Sequence, residues 1–476
     1  MNRMKLDGLK STIRRFEGFL EIVFLTVAYY LFWKYGYHNE TFPHFFGYSE
    51  LILCGIYAFL VLVIFRNVDG FKFGHLKLTE VLVSQWIALF ILNFITYFEL
   101  CLLADRMVSL LPMVCLMLVE VLIALVCTTV YTALYHRIYP PKNMVMIYGS
   151  EDAIDLKFKM DTRSDKYRIT KLISVDEGVE EICRQIVNYE AVIINDVTAQ
   201  IRNDLLKFCY RKRIRTYVAP KMSDIIVKGA QDICLFDTPL MLVRSKGLTL
   251  TQRILKRAMD IVLCLLAMVI AAPIMLIVAL AIKIEDGGPV FYKQDRVTIG
   301  GKVFSILKFR SMVVDAEKNG KSQPAVDNDP RITKVGRVIR PLRIDELPQI
   351  LNILKGDMSI VGPRPERVEH VEKYSEEIPE FNFRLKVKGG LTGYAQVYGK
   401  YNTSPYDKLR LDLTYIEEYS ALLDIKLILM TIRIMLKKES TEGFNERQEI
   451  ERRKKELLAQ LRQEKEEREG SVPGGR

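Results

Sequence analysis

Long apolar runs alternate with polar segments along the chain, and their lengths divide it into regions. Within the first 140 residues the apolar runs lie at roughly 18–36, 50–65, 80–104 and 107–135. Their lengths approach the ~20 residues that an α-helix needs to cross the hydrocarbon core of a bilayer. The pattern therefore predicts an N-terminal four-helix transmembrane bundle over residues 1–140.

Positive charges are distributed unevenly around these runs. Lysine and arginine concentrate before the first run, between the second and third, and after the fourth, at Arg3, Lys5, Lys10, Arg14, Arg15, Arg66, Lys72, Lys77, Arg137 and Lys142. The loops between the first and second runs and between the third and fourth runs hold few cations. By the positive-inside rule, both ends of the bundle are expected in the cytoplasm.

A fifth apolar run, from Ile261 to Ile282, is long enough to cross a membrane but has a cation at each end. Lys256 stands before it and Lys283 after it. Pro273, near its centre, removes a backbone hydrogen bond and disfavours helix at Ala272. Each half is then about 15 Å long, half a bilayer. The pattern favours a re-entrant helix-break-helix bent at Ala272 and Pro273, and the alternative is a kinked fifth span.

Residues 141–245 alternate short β-branched runs with helical patterns. Buried strands are predicted at 144–150, 191–195 and 215–220, and helices at 177–189 and 198–209. This alternation predicts a Rossmann-like α/β domain with a parallel sheet. A dinucleotide site would need three glycines after the first strand, and only Gly149 is present. We therefore expect no NAD binding by this domain.

Composition and charge narrow the range of functions. Of the 476 residues, 50% are hydrophobic and 26% charged, with a net charge of +11. The basic balance suits anionic lipid, phosphorylated substrates or nucleic acid. Nucleic acid is disfavoured because the chain has no zinc-finger spacing, helix-turn-helix pattern or RNP-like motif. The eight cysteines include no C-x-x-C, so neither a disulfide framework nor a zinc site is indicated.

Two adjacent carboxylates, Asp345 and Glu346, stand in a strongly basic segment that includes Arg340 and Arg343. Taken alone, the stretch "RIDELPQ" is typical of a helix start, because Asp and Glu favour the first turn and Pro348 is tolerated there. The alternative is a catalytic pair that works on a phosphate together with a metal ion. The surrounding sequence favours the second interpretation.

From residue 283 onward Gly, Pro, Arg and Asp cluster, as expected of loops that handle phosphate. Three blocks carry the pattern: "GGPVFYKQDRVTIGGKVFSILKFRSM" (287–312), "DNDPRITKVGRVIRPLRIDELPQILNILKGDMSIVGPRPE" (327–366) and "KVKGGLTGYAQVYGK" (386–400). In this order they resemble the bacterial sugar transferase family, the monotopic polyprenyl-phosphate hexose-1-phosphate transferases. The resemblance runs from about Lys256 to Lys437. The upstream regions are similar to those of long-form members that start exopolysaccharide, capsule or O-antigen repeat units.

The resemblance implies transfer of a sugar-1-phosphate from a UDP-sugar to undecaprenyl phosphate, with release of UMP. Asp345 would attack the sugar-bearing phosphate and form a covalent phosphosugar-aspartyl intermediate, a type of intermediate that suits an ionised carboxylate. Glu346 would help to hold Mg²⁺ or assist the incoming lipid phosphate. The resemblance further implies a bacterial cytoplasmic (inner) membrane protein with its catalytic domain on the cytoplasmic face, a homodimer, and contacts with polysaccharide-assembly proteins.

Further site candidates follow from the negative charge of the substrate diphosphate, which cations must neutralise. The candidates for binding phosphate are Arg340, Arg343, Arg364, Lys308 and Arg310. The resemblance adds Lys386 and Lys388, since the corresponding loop of the family is thought to contact the nucleotide. Asp357 and Glu366 join Asp345 and Glu346 as candidate metal carboxylates. A structural ion pair is the alternative for each of them. Two departures from the family pattern are Ala272, where many members have serine, and Gly389, where many have proline.

The sequence thus predicts a membrane α plus α/β protein. Its expected domains are a four-span transmembrane bundle (1–140), a Rossmann-like domain without a dinucleotide fingerprint (141–245), a catalytic α/β domain (250–440) with a re-entrant helix (257–283), and a charged helical or flexible tail (441–476). Two other functions remain open. One is a catalytically idle membrane scaffold for polysaccharide assembly, and the other is a nucleotide-sugar dehydratase, which the missing glycines disfavour.

Overall fold

The computed structural model of the chain forms two compact units. The first comprises Met1–Ala219 and Asn445–Arg476, and the second comprises Pro220–Phe444. The described residues are 3–37, 48–243, 247–314, 329–399, 403–435, 451–460 and 463.

Four long helices open the first unit. They are α1 (Arg3–Phe32), which continues into a π-helical turn (Trp33–Tyr37), α2 (Tyr48–Asn67), α3 (Leu78–Ala104) and α4 (Leu110–Ile138). Each includes most or all of one predicted apolar run. Within the described residues, these four and one helix of the second unit are long and apolar enough to cross a membrane.

Glu120 lies fully buried where three of these helices meet. Tyr57 of α2 donates a hydrogen bond to one of its carboxylate oxygens, and Asn93 of α3 donates to the other at 2.5 Å. Burying a carboxylate in an apolar environment is costly unless hydrogen bonds satisfy it. These two contacts make Glu120 a polar link between α2, α3 and α4.

A four-stranded parallel sheet follows the helices. Its elements are β1 (Lys142–Tyr148), α5 (Asp155–Asp161), β2 (Tyr167–Ser174), α6 (Val179–Ile186), β3 (Ala191–Asn195), α7 (Ala199–Lys212) and β4 (Arg215–Val218). The strand order is β2-β1-β3-β4. The parallel α/β arrangement is confirmed, with one strand more than the sequence predicts. That strand, β2, lies at an edge of the sheet and is only partly buried, so its apolar pattern is weak.

Gly149 has a structural explanation in this sheet. A Cβ atom at this position would lie 2.0 Å from the carbonyl oxygen of Asp196. The loops that follow β1 and β3 therefore approach each other so closely that only glycine fits. The close approach explains why glycine follows β1, and a bound phosphate is not needed to explain it.

In its described residues the second unit is mainly helical, with three small two-stranded sheets. Its elements are α8 (Met222–Lys228), β5 (Gln231–Leu235), β6 (Thr238–Leu242), α9 (Leu250–Asp286), β7 (Phe291–Val297), β8 (Val303–Phe309), α10 (Lys334–Ile339), α11 (Gln349–Lys355), β9 (Ser359–Val361), α12 (Val368–Glu377), β10 (Gly390–Thr392), α13 (Tyr394–Tyr398), α14 (Pro405–Glu417) and α15 (Ala421–Met435). Strands β5 and β6 pair antiparallel, as do β7 and β8, whereas β9 and β10 pair parallel.

Helix α9 contains the fifth apolar run and differs from the prediction in one respect. It is a single helix that passes through Ala272 and Pro273, where the sequence predicts a break. Cys264 and Ala271 pack against β8 and α11, and Val278 packs against the end of β8 and α10 beyond the proline. Packing on both sides of the proline offsets the lost backbone hydrogen bond. The predicted return of the chain to the same side of the membrane stays a prediction.

Part of the charged tail predicted for 441–476 lies within the described residues. Residues 451–460 are helical. The ammonium group of Lys454 lies 3.1 Å from a carboxylate oxygen of Asp152 and 2.8 Å from one of Asp155. The remainder, apart from residue 463, lies outside the described residues.

Candidate active site

The acidic pair lies in a short turn of the second unit. Asp345 and Glu346 belong to a single 3₁₀ turn (Ile344–Glu346), and α11 begins only at Gln349. The α-helix start that this stretch suggests on its own therefore lies three residues beyond Glu346, and the acidic pair itself lies in the 3₁₀ turn. Arg343, immediately before the turn, has a φ of 53°, a left-handed conformation that non-glycine residues rarely adopt. This conformation directs the chain into the acidic turn.

Three cations surround the carboxylate of Glu346. Lys308 Nζ donates a hydrogen bond to Oε1 at 2.9 Å, and Arg364 Nη2 donates to the same oxygen at 3.0 Å. Arg343 Nη1 lies 3.7 Å from Oε2. Burial alone would raise the pKa of Glu346, but the charges of Arg364 and Lys308 outweigh it and hold that pKa well below its usual range. Glu346 is therefore a fixed negative charge.

Separate segments of the chain bring these cations together. Lys308 projects from β8, as the sequence predicts for the "KFRSM" strand. Arg364 follows β9 and stands between Pro363 and Pro365, which restrict its backbone. The segment before it packs tightly on β10, since a Cβ on Gly390 would lie 2.1 Å from the amide nitrogen of Gly362.

Asp345 has a different environment from its neighbour. Among the described residues, none forms an ion pair with its carboxylate within 4 Å. Burial raises the pKa of Asp345 and the charge of Glu346 adds to this, while the charges of Lys308 and Arg340 oppose it. Neighbouring carboxylates whose pKa values are pushed apart suit different chemical roles. The geometry provides one anchored carboxylate and one available carboxylate.

Two of the predicted phosphate-binding cations contact groups outside the acidic pair. Arg310 lies just beyond β8 and pairs with Asp286 at the end of α9, with Nη1 2.7 Å from Oδ2. Lys388 Nζ donates to the carbonyl oxygen of Gly356 at 2.7 Å. Arg310 thus forms an ion pair of the kind that the sequence left open as its alternative, and Lys388 contacts a backbone carbonyl. Phosphate binding by either residue stays a prediction.

Arg340 and Lys386 have weaker contacts. Arg340 Nη1 lies 3.5 Å from Ser311 Oγ, and its charge acts on Asp345. Lys386 Nζ lies 5.4 Å from the centre of the Phe383 ring. Arg340 therefore stays in the neighbourhood of the acidic pair, and no contact described for Lys386 connects it to that pair.

The additional candidate metal carboxylates have other partners too. Asp357 lies beyond the far end of α11, where its carboxylate pairs with Lys355 at 3.2 Å. Glu366 lies 3.9 Å from Arg384 Nη1. Neither has a described contact with Asp345 or Glu346.

Arg384 is a residue that the sequence analysis missed. It is buried and pairs with Asp412 of α14 at 2.8 Å. It also donates to the backbone carbonyl of Arg364 at 2.9 Å, which positions the residue that contacts Glu346. Since the pair joins residues 28 positions apart on different elements, only the fold shows it.

The acidic pair fits a magnesium ion shared with a phosphate. The described residues contain no group of three or more His, Cys, Asp or Glu side chains that could hold a metal ion by themselves. Mg²⁺ is usually bound by one or two carboxylates together with substrate phosphates and water. Asp345, which lacks an ion-pair partner among the described residues, offers such a ligand, and Glu346 lies next to it.

Residues 251–438, which include the acidic pair and its cations, match the family model for bacterial sugar transferases. The chain is 45% identical over 185 residues to a UDP-N-acetylgalactosamine-undecaprenyl-phosphate N-acetylgalactosaminephosphotransferase of Aeromonas hydrophila. It is 42% identical over 211 residues to a UDP-glucose:undecaprenyl-phosphate glucose-1-phosphate transferase of Escherichia coli (strain K12). These alignments cover 38% and 43% of this chain and, in both cases, 44% of the relative.

A longer alignment extends beyond this region. An uncharacterized sugar transferase of Haemophilus influenzae is 30% identical over 334 residues, which are 63% of this chain and 70% of the relative. The similarity therefore includes residues outside 251–438.

Proposed function

Because the chain belongs to the bacterial sugar transferase family, we propose that it transfers a sugar-1-phosphate from a UDP-sugar to undecaprenyl phosphate and releases UMP. The observation that carries this proposal is the paired arrangement in which cations hold Glu346 while Asp345 stays available. The two relatives named above are described with different sugars, N-acetylgalactosamine and glucose. We therefore propose a UDP-sugar as the donor, and the identity of the sugar has to be measured.

Asp345 is the proposed nucleophile. Its carboxylate oxygen forms a bond to the sugar-bearing phosphorus while the bond from that phosphorus to the bridging oxygen breaks, and UMP leaves with the electron pair. The product is a phosphosugar ester of Asp345. A phosphate oxygen of undecaprenyl phosphate then attacks the same phosphorus, and the Asp345 carboxylate is the leaving group.

The surrounding residues stabilise the charge of the diphosphate. Arg343 is half exposed, so its guanidinium can contact both Glu346 and a phosphate oxygen. Lys308 and Arg364 hold Glu346 in one position. Mg²⁺, held by Asp345 and Glu346 together with phosphate oxygens, would neutralise charge on the diphosphate.

A re-entrant position of α9 in the cytoplasmic membrane belongs to the same proposal. Near its beginning, Lys256 pairs with Asp424 at 2.5 Å. At its end, Glu285 accepts a hydrogen bond from the amide of Lys334 at 2.7 Å. A helix that crossed the bilayer completely would have its ends on opposite faces, and contacts from both ends to one compact unit argue against that. The cytoplasmic face is proposed for this unit because soluble UDP-sugars are available there.

Two features of the proposal concern assembly. A homodimer and contacts with polysaccharide-assembly proteins are proposed from the family resemblance alone. The domain boundaries at 140, 245, 250 and 440 come from the sequence pattern and stay predictions. Mass measurement of the detergent-solubilised protein would test the dimer.

Intact-mass measurement tests the reaction directly. The full chain is incubated with Mg²⁺ and a panel of UDP-sugars without lipid. We expect a mass increase that corresponds to one sugar phosphate, which would also identify the sugar. The Asp345→Asn variant should show no increase. UMP release by Asp345→Asn at the wild-type rate would remove Asp345 as nucleophile, and absence of UMP release by the wild type with lipid and every donor would favour the idle scaffold.

A further inference from the structure

The C-terminal end of α7 carries a cluster of exposed cations. From Leu205 to Ile214 the sequence contains four basic residues and no acidic one. The exposed side chains of this cluster, which we call the α7 end, are Lys207, Tyr210, Arg211, Lys212 and Arg213. A surface with such a density of positive charge attracts an anionic partner.

The charges of the α7 end are not balanced by carboxylates of the protein. Among the described residues, no carboxylate forms an ion pair with any of its four cations. Arg211 lies over the ring of Phe208, with its guanidinium carbon 5.7 Å from the ring centre, and this contact brings no negative charge. Asp204 precedes all four cations on the helix. Glu190, at the beginning of β3, already accepts a hydrogen bond from the amide of Asn143.

The edge of the sheet at which the strands begin is held close to the apolar helices. Strand β1 begins at Lys142, four residues after α4 ends at Ile138, so the two points are at most about 14 Å apart. Arg163, which precedes β2, donates a hydrogen bond from Nη1 to the carbonyl oxygen of His75 at 2.8 Å. His75 belongs to the loop between α2 and α3. In a bundle of alternating spans, this loop and the end of α4 lie at the same surface of the membrane.

The α7 end lies at this same edge of the sheet. The four strands are parallel, so they all begin there, and α7 returns the chain to that edge. The helix ends at Lys212, and β4 begins three residues later at Arg215. Arg215 pairs with Ala191 of β3, which pairs with Met144 of β1. Strand β4 is therefore two strands from β1, about 10 Å away, and the α7 end is within reach of the membrane surface.

Two further side chains at this edge suit the boundary between water and lipid. Tyr210 is 88% exposed, and Val187, which follows α6, is 49% exposed. Tyrosine is enriched at membrane surfaces because its ring is amphipathic. Cations combined with exposed aromatic and aliphatic side chains are typical of surfaces that contact anionic lipid. Together with the nearby helix ends, these side chains favour lipid over an acidic protein segment as the partner.

Arg213 contributes a charge where glycine is the usual residue. It caps α7 with a φ of 57°, a left-handed conformation. The cap itself is formed by the backbone, since the amide of Arg213 donates to the carbonyl oxygens of Cys209 and Tyr210. Glycine would form the same cap with less strain. The arginine therefore adds a cation to the α7 end at a cost in backbone conformation.

From this charge and position we propose that the α7 end is a docking surface for anionic phospholipid headgroups, which hold the parallel α/β domain against the membrane. Docking would fix the direction in which this domain extends from α1–α4. The attraction acts between two charged surfaces, so lysine and arginine should serve equally well. The proposal rests on the candidate spans and is independent of the proposed transfer reaction.

Fluorescence quenching by lipid tests the docking in the full chain. In a background without other cysteines, Val187→Cys carries a bimane label at the same edge of the sheet and leaves every cation of the α7 end in place. The protein is placed in nanodiscs of phosphatidylcholine alone, or of equal parts phosphatidylcholine and phosphatidylglycerol. Both kinds contain the same amount of phosphatidylcholine with a nitroxide on its headgroup. We expect stronger quenching in the anionic discs, and added salt should reduce the difference because it screens exposed charges.

Two triple variants distinguish charge from the identity of the side chains. The test variant Arg211→Gln, Lys212→Gln, Arg213→Gln removes three charges, and the matched control Arg211→Lys, Lys212→Arg, Arg213→Lys retains them. Each lysine or arginine near an anionic surface strengthens attachment about fivefold. The test variant should therefore lose the additional quenching in anionic discs, whereas the control should keep it. Thermal unfolding verifies that both variants are folded, and the salt dependence of the wild-type surface needs no variant.

Three results would overturn the proposal. Equal quenching in the two kinds of disc would exclude anionic lipid and leave an acidic protein segment as the partner of the α7 end. Additional quenching retained in full by the test variant would assign the lipid contact to other residues. Its loss in the charge-retaining control would show that particular side chains are recognised, as in a contact with a protein.

Discussion

Lys308 donates a 2.9 Å hydrogen bond to Glu346, while the adjacent carboxylate of Asp345 has no ion-pair partner among the described residues. The two carboxylates share a backbone turn but not an electrostatic environment. Cations hold the pKa of Glu346 low despite its burial, and burial raises that of Asp345. One carboxylate can then organise the site while the other reacts.

Replacement of Asp345 by Asn should abolish the reaction without lowering the thermal stability of the protein. We expect loss of the covalent adduct and of UMP release, with thermal stability unchanged or increased. The reason is that burial disfavours the charged carboxylate in the folded protein, and the amide avoids that cost. Asp295→Asn, at an exposed position of β7, is the matched control and should keep activity. A large fall in the melting temperature of Asp345→Asn would contradict this interpretation.

Replacement of Glu346 by Gln should have the opposite effect on stability. The variant leaves the charges of Lys308 and Arg364 without their anion, while the side chain of Glu346 is only 12% exposed. We expect a loss of about 2 kcal/mol, the usual range for a hydrogen bond to a charged group. Thermal unfolding of Glu346→Gln beside Asp345→Asn measures the contrast. Equal stability of the two variants would show that the cations do not depend on Glu346.

The pH dependence of adduct formation should reflect the raised pKa of Asp345. The carboxylate must be ionised to attack phosphorus, so the rate should fall as the pH is lowered through that pKa, at a higher pH than for an ordinary Asp with a pKa of about 3.9. The charge of Lys308 lowers the pKa of Asp345. Lys308→Gln should therefore shift the acid limb to still higher pH. Single-turnover rates of adduct formation across the acid range provide the measurement, and a shift to lower pH in this variant would exclude the proposed coupling.

The sequence predicted best those features that depend on periodicity or on contiguous motifs. The apolar runs became helices, and the β-branched runs at 191–195 and 215–220 became neighbouring parallel strands. The sequence could not show which residues contact each other when they are distant along the chain. Arg310 occurs in a motif-rich block, for example, and its partner Asp286 lies at the end of α9. Pro273 likewise predicted a break at Ala272. The helix is continuous because it packs on strands and helices that come later in the chain, and the local sequence does not show that packing.

Cysteine accessibility can test the path of α9 through the membrane. Leu250 and Ile284 are exposed positions near the two ends of the helix, whereas Lys256 is buried in an ion pair and unsuitable for substitution. In a background without other cysteines, Leu250→Cys and Ile284→Cys should both react with an impermeant maleimide from the cytoplasmic side of oriented vesicles. Labelling of the two positions from opposite sides would exclude re-entry and indicate a fifth span.

The ion pair between Lys256 and Asp424 should be a principal anchor of α9 on its unit. Their side chains are 7% and 0% exposed, and Tyr415 contacts both, with its hydroxyl 3.1 Å from Lys256 Nζ and 2.8 Å from Asp424 Oδ1. Removing one partner of a buried pair leaves an uncompensated charge and costs about 3–5 kcal/mol. Lys256→Met should therefore lower the free energy of unfolding by that amount.

The double variant Lys256→Met, Asp424→Leu distinguishes lost charge balance from lost packing. Because replacing a whole buried pair with apolar residues is often neutral or stabilising, we expect it to recover most of the stability that Lys256→Met loses. Lys373→Met is the matched control, since Lys373 pairs with Glu377 on the exposed surface and should change stability by less than about 1 kcal/mol. If Lys256→Met were as mild as Lys373→Met, another contact would have to anchor the helix.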